Sequence, residues 1–273
     1  MLRSNLVEDS VEDVVAAGIR TVDDDLLAVN PSRETIRTLV DTLRDAESPP
    51  HVRLLADERP VKDLMDDFLV ASVAADLVAD DTLALRTFED VPRNSLFLTD
   101  AAVVSLVDGG AKAAGLATDD ESFVEAAGAH YDEHWASAPE YSLRTPPISA
   151  VRETLTEDIG EQAAADDDGV LASLQTARGN GDGLDEVTIS LLVAARNHEL
   201  LYDISKWGED VGLASKATFS RTKTRLEDKG LLDTEKVPID VGRPRLRLKL
   251  GDDRLEDADV DELASVAQSL LAA

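Results

Sequence analysis

The sequence predicts an α/β domain followed by a winged helix-turn-helix domain, on three observations. Short Val- and Leu-rich runs alternate with helical periodicity over the first hundred residues. Residues 184–250 read helix, helix, helix, strand, strand. The basic side chains of a very acidic chain gather in that same stretch. The chain of 273 residues carries 27 Lys+Arg against 56 Asp+Glu, a net charge of −29. Residues 200–250 carry a net +3 and the remainder −32, and six of the eight lysines lie in that window.

Val7, Val11, Val14 and Val15 recur at helical spacing, with Gly18 as a stop. Residues 26–29 form a short buried strand, and Asn30-Pro31 opens a helix whose stripe is Ile36, Leu39, Val40 and Leu43. The pattern repeats, with a strand at 52–56, a loop at 57–60 and a long helix at 61–79. Strand-like runs follow at 83–87, 95–99 and 103–107, the last ending in the Asp108-Gly109-Gly110 turn. A parallel sheet flanked by helices is expected, the later strands pairing as hairpins. Helices at 119–135 and 148–165 carry the chain away from that sheet. The Asp- and Gly-rich residues 166–183 then read as a flexible linker. The domains are thus 1–165 (a regulatory α/β domain), the linker 166–183, the winged helix-turn-helix 184–252, and a C-terminal amphipathic helix within 253–273.

In the basic region, helices at 184–195 and 200–211 precede the tight turn at Gly212-Leu213, and Ser215 caps a third helix. Phe219 and Leu226, seven residues apart, face the other two helices. Thr218, Ser220, Arg221, Thr224 and Arg225 turn away from that seam, with Lys216 at the helix start. Lys223 lies beside the seam and must snorkel out. Gly230 ends the helix. Residues 231–237 are a strand, and 245–250 alternate charge with leucine at the strand period. Between them lies a wing tipped by Val241-Gly242-Arg243-Pro244-Arg245. A third helix of this kind enters the major groove, where Arg reads guanine. Arg243 suits a narrow minor groove and Arg245 a phosphate. The expected DNA contacts are Lys206, Ser215, Lys216, Thr218, Ser220, Arg221, Lys223, Thr224, Arg225, Arg243 and Arg245, on double-stranded promoter DNA. A solvated basic face, or a module that docks another transcription factor, is the competing reading.

With these motifs in place, the chain resembles the TbsP regulators of haloarchaea. The resemblance rests on Ser215-Lys216-Ala217-Thr218-Phe219-Ser220-Arg221-Thr222-Lys223 and on the Val241–Arg245 wing. It implies a DNA-binding transcriptional regulator connected to central carbon (sugar and gluconeogenic) genes. The order strand 52–56, long helix, strand 83–87, Pro92, strand 95–99, Asp100 is similar to the phospholipase-D-like sensor domains of TrmB-type regulators.

No catalytic residue is expected. Phospholipase D chemistry needs two His-x-Lys motifs, and His51-Val52-Arg53 is the nearest trace; a degenerate hydrolase is the alternative reading. Phosphate-loop, dinucleotide and nucleophile-elbow motifs are lacking. With no cysteine, disulfides and Cys-ligated zinc are excluded. His130 and His134 sit one helical turn apart without an evident third ligand, and read as a polar helix face. No cofactor or metal is expected. A small anionic metabolite could rest beyond the strand ends, on Asn30, Ser32, Arg33 and Arg59; helix capping is the rival explanation. No apolar run nears the roughly 18 residues of a membrane span, and a cytoplasmic protein is expected. The diffuse, Lys-poor acidity fits a cytoplasm of molar salt, where charges are screened within about 3 Å; an acidic mesophile protein is the alternative. The last helix, with Val260, Leu263, Ala264, Ala267, Leu270 and Leu271 on one stripe, is either a dimer seam or a packing surface, and a homodimer is expected.

Overall fold

The computed structural model describes residues 5–22, 25–88, 94–174, 177, 184–239 and 244–272. They divide into two compact units, one of Met1–Asp66 and Val73–Leu143, the other of Asp67–Ser72 and Arg144–Ala273.

The first unit is built on a seven-stranded sheet, in the order β1-β7-β6-β5-β2-β3-β4. Its strands are β1 (Leu6–Glu8), β2 (Asp25–Val29), β3 (His51–Ala56), β4 (Leu83–Thr87), β5 (Leu96–Thr99), β6 (Ala102–Asp108) and β7 (Ala113–Thr118). Only β2, β3 and β4 are parallel, joined by helical crossovers. The remaining pairings are antiparallel, so the sheet is mixed. β2 and the second half of β3 are buried on both faces, which is why residues 26–29 and 54–56 read as continuous apolar runs rather than alternating ones.

Helix α1 (Val11–Ile19) starts at the Ser10 cap. Val7 and Glu8, read with that helix from sequence, instead pair with β7. A Cβ on Gly115 of β7 would sit 3.1 Å from both Val104 and Val14, so this glycine lets α1 approach the sheet closely. Helix α2 (Arg33–Asp45) buries Ile36, Leu39, Val40 and Leu43, the stripe its spacing implies. The expected long helix at 61–79 is two helices, α3 (Glu58–Met65) and α4 (Phe68–Ala79). Asp57 caps α3, so the expected loop at 57–60 is mostly helix. The fully buried Asp67 makes the break. Its Oδ1 accepts from the N–H of Leu69 at 3.3 Å and of Ala177 at 3.0 Å.

Helix α5 (Glu121–Ser137) does not leave the sheet. Val124 packs with Leu27, Val29, Leu55, Leu98 and Val103, and Tyr131 and Trp135 extend that contact. Val103 and Val104 point to opposite sides of β6, so α5 and α1 cover opposite faces.

The second unit begins with α6 (Ile148–Asp158) and α7 (Glu161–Ser173), divided at Gly160. Here the linker expectation fails, because residues 166–173 are helix. Asp166 is 4% exposed. It accepts from Asn197 Nδ2 at 2.8 Å and Gln162 Nε2 at 2.9 Å, and pairs with Arg196 at 3.5 Å. Gly169 lets a neighbouring helix approach, since a Cβ there would lie 2.5 Å from Val260. Residues 178–183 lie outside the described residues.

There follow α8 (Glu186–Arg196), α9 (Leu201–Asp210), α10 (Lys216–Asp228), β8 (Leu232–Val237), β9 (Arg245–Leu250), the short α11 (Asp253–Glu256) and α12 (Val260–Leu271). Leu263, Ala264, Ala267 and Leu271 of α12 are buried, and α12 packs on α7. The stripe is therefore a packing surface within the chain and not a free dimer seam. Among the described residues, no helix is long and apolar enough to cross a membrane.

Candidate nucleic-acid interface

Three helices and a hairpin build this face. Trp207, Phe219, Leu226, Ile189, Leu191, Ile204 and Leu248 are buried between them. Trp207 Nε1 donates to Thr154 Oγ1 at 2.9 Å, tying α9 to α6. Gly208, in the middle of α9, makes the close approach of α10 possible. A Cβ there would lie 2.4 Å from the ring of Phe219. The turn after α9 runs through Gly212 at φ +87°, and α10 ends at Gly230 at φ +75°, left-handed conformations that glycine adopts without strain.

Ser215 caps α10, its Oγ accepting from the Thr218 N–H at 3.2 Å, and the two hydroxyls lie 3.0 Å apart. Arg221 Nη2 donates to Thr218 Oγ1 at 3.4 Å. Ser215 and Thr218 are thus committed to the helix start and to Arg221. Lys216, Ser220, Arg221 and Thr224 are exposed along one side of α10. These are the expected outward residues that the fold brings together.

Two others turn elsewhere. Arg225 reaches back to α8, where Nη2 donates to Thr188 Oγ1 at 3.0 Å and Nε is buried. Lys223, its side chain 12% exposed, pairs with Glu227 at 2.6 Å. Glu227 in turn accepts from Thr234 Oγ1 at 3.0 Å, which holds this cluster toward β8. Neither cation faces out with Arg221, because at 100° per residue positions 223 and 225 flank the buried side of the helix.

On the hairpin, Arg245 lies over the Tyr202 ring, 4.1 Å from its centroid, and pairs with Asp203 at 3.3 Å. Lys206 pairs with Asp210 at 2.6 Å and Lys216 with Glu209 at 2.5 Å. Arg243 lies outside the described residues. A groove of about 410 Å³ runs between α9, α10 and the hairpin, lined by Tyr202, Ser205, Lys216, Ser220, Ile239 and Arg245 among others. The sequence reading missed Tyr202 and Ile239. Both are large, part-apolar and exposed, at 48% and 40%. Their signal was a Tyr at the start of α9 and an Ile beside the wing, neither on a core stripe.

The other expected site lies in the first unit. The register Val29↔Leu55 sets the carboxyl ends of β2 and β3 side by side. Asn30, at φ +47°, donates its N–H to Leu55 O at 2.8 Å. Ser32 caps α2, accepting from Thr35 N–H at 3.1 Å. The Ser32 hydroxyl thus serves the helix start, as the capping alternative requires. Arg33 is half-buried in the first turn of α2, and Arg59 is exposed in the first turn of α3. On α5, His134 Nδ1 lies 2.8 Å from His130 O, with the two rings 4.5 Å apart. His51 contacts Asp25 at 2.7 Å and Arg53 contacts Asp132 at 2.8 Å.

Comparison with known proteins gives two family matches that together span the chain. The description "Transcriptional regulator TbsP-like, N-terminal" matches residues 3–146, and "Transcriptional regulator TbsP-like, C-terminal HTH domain" matches residues 147–268. Their junction falls near the division between the two compact units. No curated protein sequence matches the chain. Among solved structures, TrmBL2, described as an archaeal chromatin protein with a novel mode of DNA binding, is similar over 51% of this chain and 55% of its own, at 14% identity and a TM-score of 0.38. Nuc, a phospholipase D family member from Salmonella typhimurium, is similar over 50% of this chain and 97% of its own, at 15% identity and a TM-score of 0.35. On the two family matches, the chain belongs to the TbsP-like family of transcriptional regulators, with a mixed α/β domain followed by a helix-turn-helix domain.

Proposed function

We propose that this protein regulates transcription by placing α10 in the major groove of promoter DNA. The observation that carries the reading is the outward side of α10. Lys216, Ser220, Arg221 and Thr224 are exposed there, on a helix whose other side is fixed by Phe219 and Leu226. A bidentate Arg–guanine contact is worth about 1–3 kcal/mol of discrimination. Arg221 would make it, and its hydrogen bond to the Thr218 hydroxyl supports that role. A mobility-shift assay on DNA fragments enriched by chromatin occupancy tests this. Arg221→Ala is expected to weaken binding about tenfold and to flatten base preference at one position. Unchanged affinity and preference would remove α10 from the interface.

The resemblance to haloarchaeal regulators supports target genes in central carbon metabolism, and the net charge of −29 supports a salt-rich cytoplasm. Two-fold operators suit a homodimer. With the α12 stripe buried against α7, a dimer surface would lie elsewhere, and light scattering in high salt reports its presence. An anionic metabolite would engage Arg33 and Arg59, since the Ser32 hydroxyl is taken up in capping α2. Calorimetry with phosphorylated sugars on the native protein and on Arg33→Ala/Arg59→Ala decides this, and absence of heat from the native protein removes the site.

A further inference from the structure

Three of the cations expected to meet DNA are already paired inside the chain. Helix α9 carries three carboxylates, Asp203, Glu209 and Asp210. Each holds one cation expected to meet DNA, through the pairs Asp203–Arg245 at 3.3 Å, Glu209–Lys216 at 2.5 Å and Asp210–Lys206 at 2.6 Å. Glu209 also accepts from the Lys216 backbone N–H at 3.4 Å, so its carboxylate sits over the first turn of α10. That is where a DNA phosphate would be favoured. The lysine hydrogen bonds hold Glu209 and Asp210 below the usual carboxylate range. All three pairs are partly exposed, and water and salt reach them.

We propose that α9 is an internal competitor for DNA, its carboxylates occupying the positions that phosphates take, so that binding exchanges one anion for another. This rests on the DNA-binding reading above. Its physical consequence concerns salt. A phosphate contact releases about 0.9 of a condensed cation from the duplex, which makes ordinary binding collapse as salt rises. When the phosphate also displaces a carboxylate, the freed carboxylate recruits a cation from solution. The two terms oppose each other, and the net dependence on salt flattens. Low-salt affinity is lost in the exchange, and tolerance of concentrated salt is gained. Contacts to non-cognate DNA, which are almost wholly electrostatic, are suppressed most.

The test is fluorescence anisotropy of a labelled, mixed-sequence duplex of about thirty base pairs, titrated with the full chain from about 0.1 M to about 1 M KCl. The variant Asp203→Asn/Glu209→Gln/Asp210→Asn is expected to bind roughly tenfold tighter at the low-salt end, and its plot of log K against log salt to steepen by up to about 0.9 per carboxylate removed. Glu209→Gln alone, which leaves the first-turn carboxylate of α9 in place, is expected to give a smaller change of the same sign with an unaltered circular dichroism spectrum. Equal affinities and slopes for all three proteins overturn the competitor and leave DNA binding standing. Absence of binding by native and variant proteins alike at the lowest salt overturns the DNA-binding reading itself.

Discussion

Two buried residues expose the logic of the second unit. Gly208 sits mid-helix, where glycine costs about 1 kcal/mol against alanine, yet a Cβ would meet the Phe219 ring at 2.4 Å. Overpacking costs about 1–3 kcal/mol, so Gly208→Ala should lower stability in chemical denaturation despite its better helix propensity. A more stable variant would show that the ring can move aside. Asp167 is 5% exposed. Burial first, and then Asp168, push its carboxyl up to about 7, against the pull of Arg152. A carboxyl raised in the folded state is protonated there while the unfolded chain has already ionised. Stability should therefore fall as pH rises from about 4 to about 7. Asp167→Asn should remove that slope and gain about 1–3 kcal/mol at pH 8, read by thermal melts across pH. Neither role was legible in sequence, where Asp166-Asp167-Asp168-Gly169 has the composition of a linker. Composition reports average solvation, whereas Asp166 is bonded to Asn197, at the far end of α8, as well as to Gln162 one turn back in α7.

At the level of elements, sequence period carried furthest where one face is buried against a close neighbour. The stripes of α2 and α10 appear with the expected residues inside, and in β9 the alternation buries Leu248 and Leu250. The hydrogen-bonded cap at Ser215 was equally legible, whereas α2 starts two residues past the expected Asn30-Pro31 opening, with Ser32 as its cap. Period said less about β1 and β7. β1 is three residues long, and the Gly115 of β7 is placed by the helix above it. It also could not choose directions for Lys223 and Arg225, because the flanks of a helix are assigned by what packs beside them. Ser215→Ala should cost about 1 kcal/mol through the lost cap, and should weaken DNA binding further by freeing Thr218 and Arg221. Binding affinity unchanged at full folding would separate the cap from the recognition side.

For the whole molecule, charge is the governing quantity. A chain of net −29 repels itself in dilute salt. Raising KCl from about 0.2 M to about 2 M shortens the screening length to a few ångströms, and the melting temperature should climb across that range. A melting temperature independent of salt would speak for an ordinary acidic protein. Against that background Lys216 and Lys223 of α10 are held by carboxylates, while Arg221 is braced by the Thr218 hydroxyl. If the outward side of α10 reads promoter DNA, genome-wide occupancy will differ between the native protein and Arg221→Ala. Discrete promoter peaks for the native protein that weaken about tenfold in the variant, at equal protein level, are the predicted result. Peaks of the same height and position in both would contradict it.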